Sequence, residues 1–553
     1  MKAIMAFELE HDWQGNLATP RARIGERAKT RLLILLCTVW ICFGLISHAP
    51  WKPDESQSIS IVKSMLNGGS LLAPVVIGQN SIENPPLYYW SAAAMAKLLT
   101  PALDMHDAAR VVTGLWMAIT LLMVGMCGRE LWGLGAGRQT TFMFLGSIGL
   151  VVSAHLIMPQ IAALTGAAMG LYAMTLAKRR PLRSSVLLGC GIGISFLATG
   201  VSIAAITFAT ALWLPLLSSN WRTRSYITVL GLSVVVASPW LVLWPLLCAH
   251  FAPALFNAWW HSNLQDFSHH NHAYFLKLLA WYAWPSLPLA IWGLWRYRAE
   301  ILHKPKFQLL LAYFVVSIIL LGFAANDREI YALPLLLPLA VLAGGSVEIL
   351  KRGAAGALNW FALLLFGTIG FLIWLGWLAM MTGWPSKLAE RMQILSGTSK
   401  AHFSLIEFVA ALAITLIWLL VVANAKRSNR AAVTDWAVGI TMAWSVLMTL
   451  WLPWIDSAKS YAPMMASLKK AVPLHAACIT SRNLGDAQRA LLDYYTNLRT
   501  QPFETVQQLA CDLYLIQDER GREKIEPGSD WKLIWHGKRK ADRRESFRLY
   551  QHR

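Results

Sequence analysis

Hydrophobic runs of about 17–25 residues recur along the first 455 positions, each long enough to cross a bilayer as a helix. We read about thirteen such spans: 31–48, 110–128, 138–157, 159–178, 184–198, 200–217, 224–248, 276–295, 307–325, 329–349, 355–381, 403–424 and 432–454. Residues 49–109 interrupt this pattern with a long amphipathic loop. Within it, Asp54 to Leu66 reads as a short helix, because Ile59, Ile61, Val62 and Met65 alternate with polar positions. Residues 85–100 read as a second helix, lying on the outer membrane face.

Charge placement fixes an expected orientation. With the N-terminus inside, Lys and Arg collect on the inner loops, for example Lys178 to Arg183 and Arg296 to Lys306. An odd number of spans then puts the C-terminal tail outside. One more span at 87–101 would invert every downstream loop and spoil that asymmetry.

After residue 455 the pattern changes. Residues 476–480 and 512–516 read as buried strands, 531–535 and 547–550 as a closing pair, and 485–495 as a helix. The expected fold class is therefore a polytopic α-helical membrane protein with a small outer α/β domain. Its domains are 1–455, membrane, and 456–553, soluble. The outer domain has no nucleotide-binding glycine pattern.

Composition agrees. The 553 residues are 56% hydrophobic and 14% charged, against roughly 25% charged in a soluble domain. The net charge of +19 is read as positive-inside topology and contact with anionic lipid, not as binding of nucleic acid. Residues 1–30 lack the features of a cleaved signal peptide. Cys37, Cys42, Cys127, Cys190 and Cys248 lie in or beside spans, as packing residues. Cys478 and Cys511 share the outer domain, where a disulfide would suit an oxidising compartment if their Cα atoms lie close enough.

Chemistry-bearing residues gather at the outer face. Asp54 and Glu55 follow the first span; either could serve as a general base, or both could favour a helix start. Glu83 precedes Asn84-Pro85-Pro86, whose prolines fix an extended backbone. The loop 249–275 carries His250, His261, Asp266, His269, His270 and His272, a solvated loop or a set of metal or phosphate ligands. A divalent metal at Glu83 and His270 is one expectation. Residues 326–334 hold Asp327, Arg328, Glu329 and Tyr331, with Arg328 suited to a phosphate or to an interfacial ion pair.

These residues carry a resemblance. Pro53-Asp54-Glu55, Lys63 to Gly69, Glu83 to Trp90, His270 ahead of Tyr274-Phe275, and Arg328 to Pro334 resemble, in order and spacing, the polyprenyl-phosphate-dependent glycosyltransferases of the GT-C class. Among these the chain is similar to the bacterial aminoarabinose transferases of lipid A and the protein O-mannosyltransferase-like family. The resemblance implies thirteen spans, juxtamembrane helices in the first outer loop and a periplasmic C-terminal domain in a bacterial inner membrane.

The implied reaction is inverting transfer of a sugar from an undecaprenyl-phosphate donor to a lipid or glycan acceptor. The implied catalytic residues are Asp54, Glu55 and Glu83. The implied substrate-binding residues are Lys52, Lys63, Asn84, Tyr88, His270, Arg328 and Tyr331. Departures from the resembling enzymes fall where a lipid phosphate would be held. Asn84 stands where they have Lys, Gln57 and Ser58 lie near their Arg and Tyr, and Gln160 near their Asp. Either other cations such as Lys52, Lys63, Arg110 or Arg328 stabilise the phosphate, or a metal does, or the activity differs from that of the resembling enzymes, so neither lipid A nor aminoarabinose is implied. A transporter of lipid-linked sugars and a catalytically silent scaffold are the alternative readings. The chain shows no internal repeat of the kind transporters carry.

Overall fold

The computed structural model describes residues 25–553 except 78, 81–82, 265–272, 325–326, 400–402, 426–427, 474–477, 507–510, 520–525, 540 and 543–544. It opens with α1 (Glu26–Cys42), α2 (Asp54–Leu66), a two-stranded ribbon of β1 (Val75–Val76) and β2 (Gln79–Asn80), and α3 (Leu87–Leu99). Thus the expected amphipathic helix occupies its expected span. Asp54 and Glu55 lie in its first turn, where the helix dipole favours acid.

The membrane part continues with α4 (Met105–Trp132), α5 (Leu134–Leu145), α6 (Ile148–Ser153), α7 (Pro159–Leu176), α8 (Pro181–Thr199), α9 (Val201–Leu217), α10 (Arg224–Phe251) and α11 (Pro253–Leu264). It closes with α12 (Tyr274–Tyr282), α13 (Ser286–Arg296), α14 (Pro305–Ala324), α15 (Leu333–Ser346), α16 (Arg352–Thr382), α17 (Ser386–Ser396), α18 (Leu405–Asn424) and α19 (Asn429–Leu450).

Among the described residues, eight segments are long and apolar enough to cross a membrane, and Val201–Leu217 is a shorter apolar helix. The other expected spans are reshaped by their neighbours. The run 138–157 divides into α5 and α6, and 276–295 divides before Ser286, where Pro285 offers no backbone donor. Helix α7 is buried along nearly its whole length, so it meets protein on all sides and tolerates Gln160 and Thr165. Helix α18 is the opposite case, burying Ala411 and Trp418 and leaving long aliphatic side chains exposed.

Helices α7 and α8 approach through glycine. A Cβ on Gly166 would strike the Gly191 carbonyl, and one on Gly191 would strike that of Gly166, so only glycine lets these backbones meet. Gly133, at φ +98°, turns the chain from α4 into α5.

Next come α20 (Leu452–Lys459), which runs across residue 456, and α21 (Ala462–Ala471). The remaining elements are β3 (Ile479–Arg482), α22 (Asp486–Thr496), β4 (Thr500–Pro502), α23 (Phe503–Val506), β5 (Leu513–Glu519), β6 (Trp531–Gly537) and β7 (Glu545–His552). The sheet order is β4-β3-β5-β7-β6. Strand β3 is parallel to β4 and β5, while β7 is antiparallel to β5 and β6. The expected closing pair is β6 and β7. Strand β4 is an addition, too short to show a period in the sequence. Its own core joins Tyr461, Met465 and Leu468 to Leu491, Leu515, Phe547 and Leu549. A Cys478–Cys511 disulfide, with Cα atoms 5.6 Å apart, ties the start of β3 to that of β5.

Candidate active site at the outer face

Helix α2 places successive side chains in different surroundings. Asp54 is partly exposed and pairs with Arg328, which precedes the short 3₁₀ turn Glu329–Ala332. Glu83 lies beside this pair. The protein packed behind it pushes its carboxyl up, as do the charges of Asp54 and Asp486, while Arg328 pulls it down. Tyr331 joins them, hydrogen-bonded to Gln160 and within the fields of Glu83, Arg328 and Asp54. The fold therefore gathers Asp54, Glu83, Arg328 and Tyr331 at one site, although they are far apart in sequence.

Glu55 points elsewhere and is completely buried. Its carboxylate accepts from Arg110 Nε at 2.8 Å, from the Trp51 amide at 2.9 Å and from the Ile157 amide at 3.0 Å. Arg110, equally buried, also donates to Asp107 at 2.6 Å and to the carbonyls of Leu45 and His48. Burial opposes the Glu55 charge, but Arg110 outweighs it and holds the carboxyl below its usual range. With every oxygen engaged and none exposed, Glu55 is a structural anchor in this arrangement rather than a group that meets substrate. Arg110 is likewise consumed and is no phosphate ligand here.

Three further expectations are redirected. Lys52 pairs with Glu545 at 3.0 Å and lies over the Tyr461 ring. Lys63 donates to the carbonyls of Asp493 and Tyr494, at the end of α22. Both lysines fasten α2 to the C-terminal domain, so their charge is spent on that contact instead of a phosphate. Tyr88 is buried, with its hydroxyl 2.6 Å from Thr113 Oγ1, and is closed to substrate.

Asn84 is half-buried and hydrogen-bonds with Tyr89, which also bonds Ser58. The tyrosine thus ties together two positions where cations or aromatics stand in the resembling enzymes. His270 lies outside the described residues, as do His269 and His272. Among the described residues no group of three or more His, Cys, Asp or Glu side chains is placed to hold a metal. Of that expected pair, only Glu83 is described. Two participants went unanticipated. Tyr89 was hidden beside Tyr88 in the same motif, and Asp486 reaches Glu83 from α22, a tertiary neighbour that no local pattern announces.

A helical membrane domain with juxtamembrane helices beneath a small sheet domain, and charged groups converging at their junction, is a GT-C glycosyltransferase fold. The protein is a polytopic membrane protein of this fold, similar to ArnT. The crystal structure of ArnT from Cupriavidus metallidurans bound to undecaprenyl phosphate matches with a TM-score of 0.68 at 14% identity, covering 95% of this chain and 98% of that one. Its apo state matches with a TM-score of 0.69 at 16% identity, covering 94% and 98%.

In sequence, the chain is 26% identical over 367 residues to the undecaprenyl phosphate-alpha-4-amino-4-deoxy-L-arabinose arabinosyl transferase of Pseudomonas paraeruginosa, covering 62% of this chain and 64% of that protein. It is 25% identical over 329 residues to that of Serratia proteamaculans, covering 56% and 58%. The chain thus spans less than two thirds of the length of these curated relatives. No family model matches the chain.

Proposed function

We propose that this protein transfers a sugar from a polyprenyl-phosphate-linked donor to a lipid or glycan acceptor at the outer face of a bacterial inner membrane. The observation that carries this reading is the meeting of Asp54, Glu83 and Arg328 at the junction of membrane helices and C-terminal domain. Relatives named as arabinosyl transferases, and a neighbour crystallised with undecaprenyl phosphate, support the donor class.

Arg328 is the cation that would bind the donor phosphate and stabilise it as leaving group. Its planar fork suits an oxyanion, and it takes over the work of the cations that the resembling enzymes carry near Gln57 and at Asn84. A phosphate arriving at Arg328 competes with Asp54 and releases that carboxylate. Asp54 then accepts the acceptor's proton as the sugar's anomeric carbon is attacked and its bond to phosphate breaks. Glu83, with its raised carboxyl, orients the acceptor or shares the proton. Tyr331 completes the wall.

The divalent metal expected at Glu83 and His270 remains part of the proposal. It would supply further positive charge at the phosphate, and a chelator that abolished transfer reversibly would support it. The orientation, with N-terminus cytoplasmic and C-terminal domain periplasmic, rests on positive-inside loops. Alkaline phosphatase fused after Arg553 should be active.

The decisive experiment is reconstitution with an undecaprenyl-phosphate-linked sugar and a lipid acceptor fraction. Transfer by the native protein, lost on Arg328→Leu, is expected. Binding of the donor with the same affinity by Arg328→Leu would overturn the assignment of Arg328.

A further inference from the structure

The segment that joins spans α16 and α18 contains α17. It lies at the end of the bundle that holds Asp54. Trp451 Nε1, just ahead of α20, donates to the Ile373 carbonyl of α16 at 2.9 Å, and Asp456 of α20 accepts from Trp51 Nε1 at 3.0 Å. Residues 383–385 alone separate α16 from α17, a reach of about 14 Å at most. On the far side, the Phe403 ring lies 6.2 Å from that of Trp377 in α16 and 6.1 Å from that of Phe408 in α18. Both ends of α17 are therefore held at the membrane boundary.

Helical period divides α17 into two faces. Ala389 and Ser396 lie two turns apart on one side and are buried, and the helix packs against α16 and α20. The opposite face is exposed and carries Lys387, Arg391, Ile394 and Leu395. The exposure of large apolar side chains continues at Trp384 before the helix and at Phe403 after it.

This mixture of side chains suits a bilayer surface better than water. Aliphatic groups enter the acyl boundary, while Lys and Arg lay their stems along it and raise their charges to the headgroups. Tryptophan prefers the same level. Lys387 and Arg391 are one turn apart and so neighbours on the surface. Neither is in an ion pair among the described residues. Glu390 stands at the edge of the face, about 100° around the helix from Arg391, and leaves the face with a net positive charge.

We propose that α17 is an interfacial helix whose exposed face docks on the outer leaflet and binds anionic phospholipid headgroups, with Lys387 and Arg391 on the phosphates and Ile394 and Leu395 among the acyl chains. Charge complementarity selects the anionic lipid. Continuity with the spans on either side selects the bilayer over a soluble partner. This inference stands independently of the proposed sugar transfer.

The test places the full chain in nanodiscs of phosphatidylglycerol or of phosphatidylcholine and follows amide exchange across residues 386–396 by mass spectrometry. One net positive charge near an anionic surface strengthens binding about fivefold. Exchange should be slower in phosphatidylglycerol by roughly that factor, and the difference should shrink as salt rises. Lys387→Gln combined with Arg391→Gln should bring the two discs together. Glu390→Gln should widen the difference, because it removes the opposing charge. Ile394→Ser combined with Leu395→Ser should speed exchange of α17 in both discs while leaving that of the buried α7 unchanged. Equal exchange of the native protein in the two discs, a difference that survives loss of both cations, or a difference narrowed by Glu390→Gln overturns the proposal.

Discussion

Two consecutive residues of α2 each meet a guanidinium, and the two pairs behave as opposites. Glu55 and Arg110 are both 0% exposed in their side chains. Asp54 and Arg328 are 21% and 41% exposed. The first pair is closed: each group also bonds backbone, and no water can replace a lost partner. The second can exchange its partner for an incoming anion at little cost, because exposed pairs contribute roughly 0–1 kcal/mol. A buried ion pair fixes a helix, whereas an open one can serve a reaction.

The largest effect should come from breaking the closed pair. Arg110→Met strands Glu55 and Asp107 without a counter-charge, and such losses cost about 3–5 kcal/mol. Expression or thermal unfolding in detergent should show a collapse. Unchanged unfolding would mean that Glu55 has other compensation and that the contrast is false. Asp54→Asn should do the reverse. It should leave thermal unfolding within about 1 kcal/mol yet lower sugar transfer about 10²–10⁴-fold, as for a lost general base. Near-native transfer would shift the proton acceptor to Glu83.

This contrast was only half legible in the sequence. Pro53-Asp54-Glu55 ahead of Ile59, Ile61, Val62 and Met65 marks the start and the apolar face of α2, because helical period is a local property. The convergence of Asp54, Glu83 and Arg328 follows from motifs in a recognisable order. What period cannot state is which neighbour covers each face. Glu55 meets Arg110 across 55 residues, and Lys52 meets Glu545 across 493. Both lysines were natural phosphate ligands by charge, yet each spends it on the C-terminal domain. Tyr88 and Tyr89 are adjacent and alike in sequence. Only packing decides that the first bonds Thr113 in the interior and the second bonds Asn84 and Ser58.

A smaller effect should follow from loosening the clasp between α2 and the C-terminal domain. Glu545 holds Lys52 and accepts from the Tyr461 hydroxyl at 2.5 Å. Glu545→Gln keeps both hydrogen bonds possible but removes the charge, and should cost about 1 kcal/mol. Protease protection of the C-terminal domain reads this directly. Transfer should fall less than for Asp54→Asn, since the reacting groups stay in place. A loss of transfer as large as that of Asp54→Asn would instead put Lys52 back at the phosphate.

The smallest effect concerns the far edge of the open site. Partial desolvation by the protein beside it raises the carboxyl of the exposed Glu83 first, and the charges of Asp54 and Asp486 raise it further against Arg328. If the ionised carboxylate is the working form, transfer falls as pH drops through this raised value. The acid limb of the rate profile therefore lies above the ordinary carboxylate range. Asp486→Asn removes one raising charge, so the limb should move to lower pH. Asp486 is 68% exposed in its side chain, so solvent and salt weaken its field. Well above the limb, where Glu83 is ionised in both proteins, rates should differ less than about twofold. The shift should shrink as ionic strength rises. A limb that moved upward, or that ignored both the substitution and salt, would separate Glu83 from the titration and leave Asp54 alone as the proton acceptor.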